Sequence, residues 1–343
     1  MKYRNLGNSG AIVSELTLGT MTFGAEADET TSHAIIDTFV EHGGTFIDTA
    51  DVYSAGQSET IVGRWLAGHP EEAKQVVLAT KGRFPMGEGP NDLGLSRRHL
   101  RTALDASLSR LGIDHIDLYQ MHAWDALTPI DETLSFLGDA VTAGKIGYYG
   151  FSNYLGWQLT KAVHRAAALN IAPPVTLQPQ YSLLVRDIEH ELVPAALDAN
   201  IGLLPWSPLG GGWLTGKYER DVPPTGSSRL GENPTRGMEA WEARNADERT
   251  WAVISAVQAI AKAHDATASQ VAIAWLLTQP AMTSVILGAR TVGQLVDNLG
   301  ASDLELSADE IEQLSHASAP RADDYPYGSA GVAQRHRKIE GGR

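Results

Sequence analysis

The sequence predicts an α/β fold: a (β/α)8 TIM barrel with an N-terminal β-hairpin and long loops on its C-terminal face. Three observations carry this expectation. Short β-rich runs alternate with segments of helical period. The runs number eight, the count that closes a parallel barrel. No glycine-rich G-x-G-x-x-G turn follows an early run, which disfavours a doubly wound dinucleotide sheet.

The chain opens with "YRNLGNSGAIVSEL", a short hairpin with its turn at Asn8-Ser9-Gly10. The barrel strands are then "LTLGTM", "TFID", "VVLAT", "IDLYQM", "IGYYGFS", "VTLQPQ", "GLLPWS" and "SVILGA". Between them lie amphipathic segments such as "TTSHAIIDTFVEHG", "SETIVGRWLAG", "SRRHLRTALDASLSRLG" and "DETLSFLGDAVTAGK". Start and stop signals bracket two of these: Ser96 with Gly112, and Asp131 with Gly144. The stretch from Gly210 to Ala246 is rich in glycine, proline and charge and reads as a long irregular loop after the seventh strand. No linker divides the 343 residues, so 1–343 read as one domain, with the barrel over about 1–320 and a polar tail over 321–343.

Composition narrows the function classes. At 43% hydrophobic and 20% charged the chain is an ordinary globular one. A formal net charge of -14 argues against nucleic acid or anionic membrane as a partner. With no cysteine, thiolate nucleophiles and cysteine-ligated metals are excluded. No run approaches the roughly 18 apolar residues of a membrane span, and the N-terminus lacks the apolar core of a signal peptide. The expectation is a cytoplasmic protein, free to form a homo-oligomer, acting on a small molecule.

In a barrel, reactive groups gather at the C-terminal ends of strands. Asp48 ends the second strand, Lys81 the third and His122 follows the fourth, while Tyr53 lies in the loop after Asp48. With neighbouring strands ~4.8 Å apart, these can share one rim. Singly, each has an ordinary structural explanation: a helix cap, a solvent-directed lysine, a satisfied histidine. At consecutive strand ends they read as one proton-donating site. Tyrosine is a poor acid at neutral pH, and a nearby ammonium is expected to lower its pKa. Asp48 would hold Lys81, and His122 would aim a carbonyl oxygen at the phenol. Asp51 reads as a loop or capping acid. None of these groups supplies a hydride, so a cofactor must.

The sequence resembles the aldo-keto reductases over nearly its full length. The likeness is carried by "GTFIDTADVYSAGQSETIVGRWL", "TPIDETLSFLGDAVTAGKIGYYGFSNY", "PWSPLGGGWLTGKY" and "GARTVGQLVDNLGA". The family's catalytic tetrad falls on Asp48, Tyr53, Lys81 and His122. The resemblance further implies a nicotinamide site without a Rossmann turn. Gly19, Thr20, Met21 and Asp48 would border it, with Ser152, Asn153 and Gln178 on the carboxamide and Trp206 stacked on the ring. Ser207, Pro208, Leu209, Gly211, Lys217 and Arg229 would follow the pyrophosphate and ribose. Gly288, Arg290, Gln294 and Asn298 would receive the adenosine end. A cluster of Lys217, Arg229 and Arg290 in an acidic protein favours NADPH over NADH. Many mammalian members carry "KS" and a later arginine where this chain has Gly288-Ala289 and Gln294. The pattern is nearer to bacterial members and to potassium-channel β subunits.

Substrate-binding candidates are Met21, Tyr53, His122 and Trp124, and Met21, Trp124 and Trp206 point to an apolar pocket. The leading expectation is an NADPH-dependent reductase acting reversibly on aldehydes, ketones or alcohols. The alternative is a nicotinamide-binding, redox-sensing module similar to the channel subunits. A Schiff-base lyase using Lys81 is disfavoured by the expected Asp48–Lys81 pair. A metal hydrolase is disfavoured by the lack of an H-x-H or H-E-x-x-H pattern.

Overall fold

The computed structural model describes residues 1–226, 229–235, 239–322 and 324–335; the side chains of Arg229 and Arg335 lie outside the described set. Residues 323 and 336–343 of the expected tail fall outside it too. Two strands, β1 (Tyr3–Asn5) and β2 (Ile12–Ser14), pair antiparallel as the expected hairpin. The turn sits slightly earlier than Asn8-Ser9-Gly10, because Ser9 N donates to Leu6 O at 3.2 Å and Leu6 N to Ala11 O at 2.8 Å.

The eight barrel strands are β3 (Leu16–Gly19), β4 (Phe46–Asp48), β5 (Val77–Gly82), β6 (Ile116–Met121), β7 (Ile146–Ser152), β8 (Thr176–Gln178), β9 (Gly202–Leu203) and β10 (Val285–Gly288). Their spatial order is β10-β3-β4-β5-β6-β7-β8-β9, and every neighbouring pair is parallel. The ring closes where Ile286 N donates to Pro205 O and Thr283 N to Leu203 O, both at 3.0 Å.

Side chains two apart on a strand share a face. Hence Phe46 and Asp48, Ala79 and Lys81, and Leu118 and Gln120 all point into the lumen. The lower layer is apolar. Phe46, Ala79, Leu118, Val175, Leu204 and Ile286 form one buried cluster with Leu6 and Val13 of the hairpin. The hairpin is therefore a plug for the N-terminal end of the barrel. Gly7 in its turn adopts φ 56°, and a Cβ there would lie 1.8 Å from Val175 O, so only glycine fits.

Outside the strands runs a ring of helices. Ser96 Oγ accepts from His99 N at 3.2 Å to start helix Arg97–Leu111, and Gly112 ends it at φ 67°. Helix Ile130–Thr142 departs from expectation at its start. Pro129 is the cap residue, while Asp131 lies in the first turn and pairs with Arg165 at 2.6 Å. An acid there still favours the helix, through the N-terminal dipole rather than a cap bond.

The long segment after β9 is less irregular than its composition suggests. It contains the 3-10 turn Gly210–Thr215 and the short helices Arg229–Glu232 and Trp241–Ala246. Trp213 stacks on Trp241 with ring centroids 5.0 Å apart, and Trp213 Nε1 donates to Glu239 O at 3.0 Å. Aromatic burial organises what local propensity leaves open. Among the described residues no helix is long and apolar enough to cross a membrane.

Candidate active site

The upper layer of the lumen is polar and equally buried. Lys81 Nζ donates to Asp48 Oδ2 at 2.5 Å, to Thr49 O at 2.8 Å and to Tyr53 OH at 3.1 Å. Asp48 Oδ1 accepts from Gln178 Nε2 at 2.9 Å and from Gln120 Nε2 at 3.2 Å. The Tyr53 and His122 rings meet edge to face, centroids 5.8 Å apart. Asp48, Tyr53, Lys81 and His122 thus lie together, as expected from their strand-end positions.

Tyr53 reaches this point through a strained turn. Ser54 and Ala55 adopt φ 48° and 52°, followed by Gly56 at 90°. Two consecutive non-glycine residues in the left-handed region cost of order 1–3 kcal/mol each. Ser54 Oγ, donating to Phe23 O at 2.8 Å, is one of the contacts that hold the turn.

Electrostatics separate the four groups. Burial pulls the Lys81 ammonium downward, but Asp48 and Tyr53 outweigh it and leave the group above its ordinary value. His122 is pushed well below the usual imidazole range by burial, then by Lys81 and Arg83. It is neutral at physiological pH. Its buried Nδ1 has no hydrogen-bond partner in the protein. Tyr53 departs from expectation: burial raises its hydroxyl, and the pull of Lys81 does not win. The ring is only half-buried, but its hydroxyl sits at the dry end beside Lys81.

Around this core the candidates for a nicotinamide ring converge. Ser152 Oγ donates to Gln178 O at 2.9 Å, and Asn153 Nδ2 to His122 O at 2.9 Å. Trp206 Nε1 donates to Asn153 Oδ1 at 3.1 Å, so the indole is pinned by its edge while half-exposed. Such a pinned, half-open ring fits a flat partner. Thr20 Oγ1 bonds Asp48 O and Ser58, and Met21 is 41% exposed at the rim. Gly19 has a packing reason of its own, since a Cβ there would lie 2.7 Å from Ile286. Ser207 and Gly211 take φ 56° and 66° in a chain turn that includes Pro208 and Leu209.

The outer candidates are engaged with protein groups. Arg290 Nε pairs with Glu26 at 2.6 Å and its Nη2 with Glu232 at 3.3 Å. Gln294 Oε1 accepts from Arg290 N at 2.9 Å in the first turn of helix Val292–Leu299, and Asn298 is buried. Gly288 is open, with nothing near a Cβ. Lys217 Nζ lies 5.1 Å from the Tyr218 ring centroid. The Arg229 side chain lies outside the described residues. Trp124 packs against Tyr154 and Trp157, centroids 5.3 and 5.4 Å away.

Sequence reasoning passed over three neighbours. Gln120 supports Asp48, and its inward direction follows from alternation with Leu118. Phe84 lies 4.6 Å from the His122 ring. Thr49 contributes only a carbonyl, which no side-chain reasoning reveals. Asp51 lies in the loop after β4, one of the two readings, and caps nothing. It is fully buried on the outer side of the sheet, both carboxyl oxygens lack partners, and burial and then Glu59 push it up to about 7. A surface cleft of about 410 Å³ between Ser135 and Ala172 is lined by none of these groups.

Comparison with known proteins gives the family of the chain. Residues 15–319 match the Aldo/keto reductase family. The chain is 39% identical to YrpG, an uncharacterized oxidoreductase of Bacillus subtilis (strain 168), over 92% of this chain and 95% of that one. It is 35% identical to a probable voltage-gated potassium channel subunit beta of Arabidopsis thaliana, over 95% of this chain and all of that one (100%). It is 32% identical to versiconal hemiacetal acetate reductase of Aspergillus parasiticus, over 94% and 98%. The chain belongs to the aldo/keto reductase family, a family of oxidoreductases that work with a nicotinamide cofactor.

Proposed function

We propose that this chain is an NADPH-dependent carbonyl reductase, reversible toward the alcohol, in which Tyr53 is the general acid. The observation that carries the reading is the Asp48–Lys81–Tyr53 chain of hydrogen bonds beside a neutral His122. When bound, the nicotinamide supplies the hydride. Ser152, Asn153, Gln178 and Trp206 would hold its ring at the barrel mouth. His122, with no hydrogen bond from its ring to protein, can take the carbonyl oxygen and orient it.

Tyr53 would give its proton to that oxygen. Its raised pKa keeps the hydroxyl protonated before substrate arrives. Lys81 then stabilises the phenolate as the proton leaves, and Asp48 keeps the ammonium charged and in place. NADPH preference rests on Arg290, from which a 2′-phosphate would displace Glu232 while Glu26 continues to orient the guanidinium.

Tyr53→Phe removes one hydroxyl and little volume. Turnover of a carbonyl substrate with NADPH should fall ~10²–10⁴-fold, with cofactor binding retained. A variant keeping more than about a tenth of wild-type turnover when chemistry limits the rate would remove Tyr53 from this role.

Likeness to channel β subunits across their whole length supports a second reading, a nicotinamide-binding module serving a partner. Steady-state turnover much faster than cofactor exchange separates the enzyme from the sensor.

A further inference from the structure

Arg83, two residues beyond Lys81, makes no hydrogen bond to the four proton-donating residues and acts on them only through its charge beside His122. Its backbone lies at φ 151°, a region nearly reserved for glycine. The side chain is directed along the rim. Its Cζ lies 5.0 Å from the Phe84 ring centroid, and Phe84 lies 4.6 Å from His122. One Nη donates to Trp124 O at 3.3 Å, while Nε is buried with no partner.

No acid pairs with this guanidinium among the described residues, in a chain with 41 acidic and 27 basic residues. Arg4, Arg110, Arg165, Arg186 and Arg290 each have a carboxylate partner. Asp125 feels the charge of Arg83, but its oxygens are taken by Leu95 N, Leu127 N and Thr128 Oγ1. Nor does Arg83 belong with the cofactor candidates. Apart from Asp48 at the end of β4, those come from β3, β7, β8, β10 and the segments that follow β3, β7, β9 and β10, whereas Arg83 follows β5, beside His122.

We propose that Arg83 receives an anionic group of the substrate, so that the preferred carbonyl compounds are oxo-acids carrying a carboxylate. The arginine fork suits that group. Burial beside Phe84 and Trp124 strengthens the attraction, and the carboxylate would fix which way the carbonyl faces Tyr53 and His122. The carboxylate itself undergoes no chemistry. This inference rests on the carbonyl-reductase reading and names its substrate class.

The test uses 4-oxobutanoate and 4-formylbenzoate, each against its methyl ester, with the full-length protein and both NADPH and NADH. The wild type should show a kcat/KM at least ten-fold higher for an acid than for its ester, mainly through KM. Arg83→Gln should cost the acid at least ten-fold more than the ester. Arg83→Gly relieves the unusual φ, so it should fold well and lose the same selectivity. Equal rates for acid and ester in the wild type, or equal losses for both in the variants, would overturn the proposal. Reduction of no carbonyl compound with either cofactor has a different signature and overturns the reductase reading along with it.

Discussion

At the hairpin end of the barrel, Leu6 and Val13 close the lumen over Phe46, Ala79, Leu118, Val175, Leu204 and Ile286. One pleat further along the same strands, Asp48, Lys81 and Gln120 are just as buried. The first layer gains from exclusion of water, about 1.5–3 kcal/mol for a large apolar side chain. The second loses hydration of an ammonium and a carboxylate, a cost of several kcal/mol per ion that only close pairing offsets. One end of the barrel stabilises the fold, and the other spends part of that stability on a preorganised charge pair. The groups proposed to donate the proton therefore gather at the costly end.

Substitutions at the two ends should separate accordingly. Asp48→Asn leaves the Lys81 ammonium buried without its counter-ion, and loss of one partner of such a pair typically costs about 3–5 kcal/mol. Urea denaturation should show that loss together with near-complete loss of turnover. A variant with wild-type stability would mean that the pair is not dry. At the plug, Leu118→Ala should cost about 2–5 kcal/mol through lost transfer energy and a cavity. Activity per folded molecule should stay close to wild type, since Leu118 lies a layer below the rim. If Leu118→Ala abolished turnover in protein shown to be folded, the two layers would not be separable.

Asp51 lies outside both layers, between the sheet and the helices, and gives the comparison a pH axis. Its carboxyl is raised to about 7 from an ordinary 3.8. Between those values the native state keeps a proton that the unfolded chain releases, so stability falls as pH rises and levels off above about 7. At ~1.4 kcal/mol per pKa unit the full fall is up to about 4 kcal/mol. Asp51→Asn should remove that slope; measured at pH 5 and pH 8, an unchanged slope would assign it to other groups. Glu59, Arg110, Tyr119 and Lys81 act on Asp51 or are acted on by it, so the difference between variant and wild type is the quantity to read.

The smallest effect concerns the proposed outer cofactor region, where charges are half-exposed and screened by salt. Arg290→Ala should weaken NADPH by roughly ten-fold, at ~1.4 kcal/mol per decade, and leave NADH nearly unchanged. Paired dissociation constants decide this. Equal weakening of both would move Arg290 to the pyrophosphate or to support of the loop through Glu26 and Glu232.

The sequence by itself determined the eight barrel strands, the hairpin and the residues that end each strand. Periodicity and turn chemistry are local, and strand-end positions follow from them. Asp48, Lys81, Tyr53 and His122 were legible for that reason, and alternation would have exposed Gln120 as well. Tertiary structure decided the rest. Composition marked Gly210–Ala246 as loop, yet the Trp213–Trp241 stack gives it short helices, because burial of aromatic surface outweighs weak propensity. Asp51 was legible as a loop acid, but not that the fold would bury both of its oxygens without a donor. The sign of the Tyr53 shift needed the competition between burial and the Lys81 charge, and no linear pattern encodes which is larger. The same holds for Arg83, whose isolation from acids is a property of space. A sequence states which charges exist, and only the packed chain states how much water and which partners each one keeps.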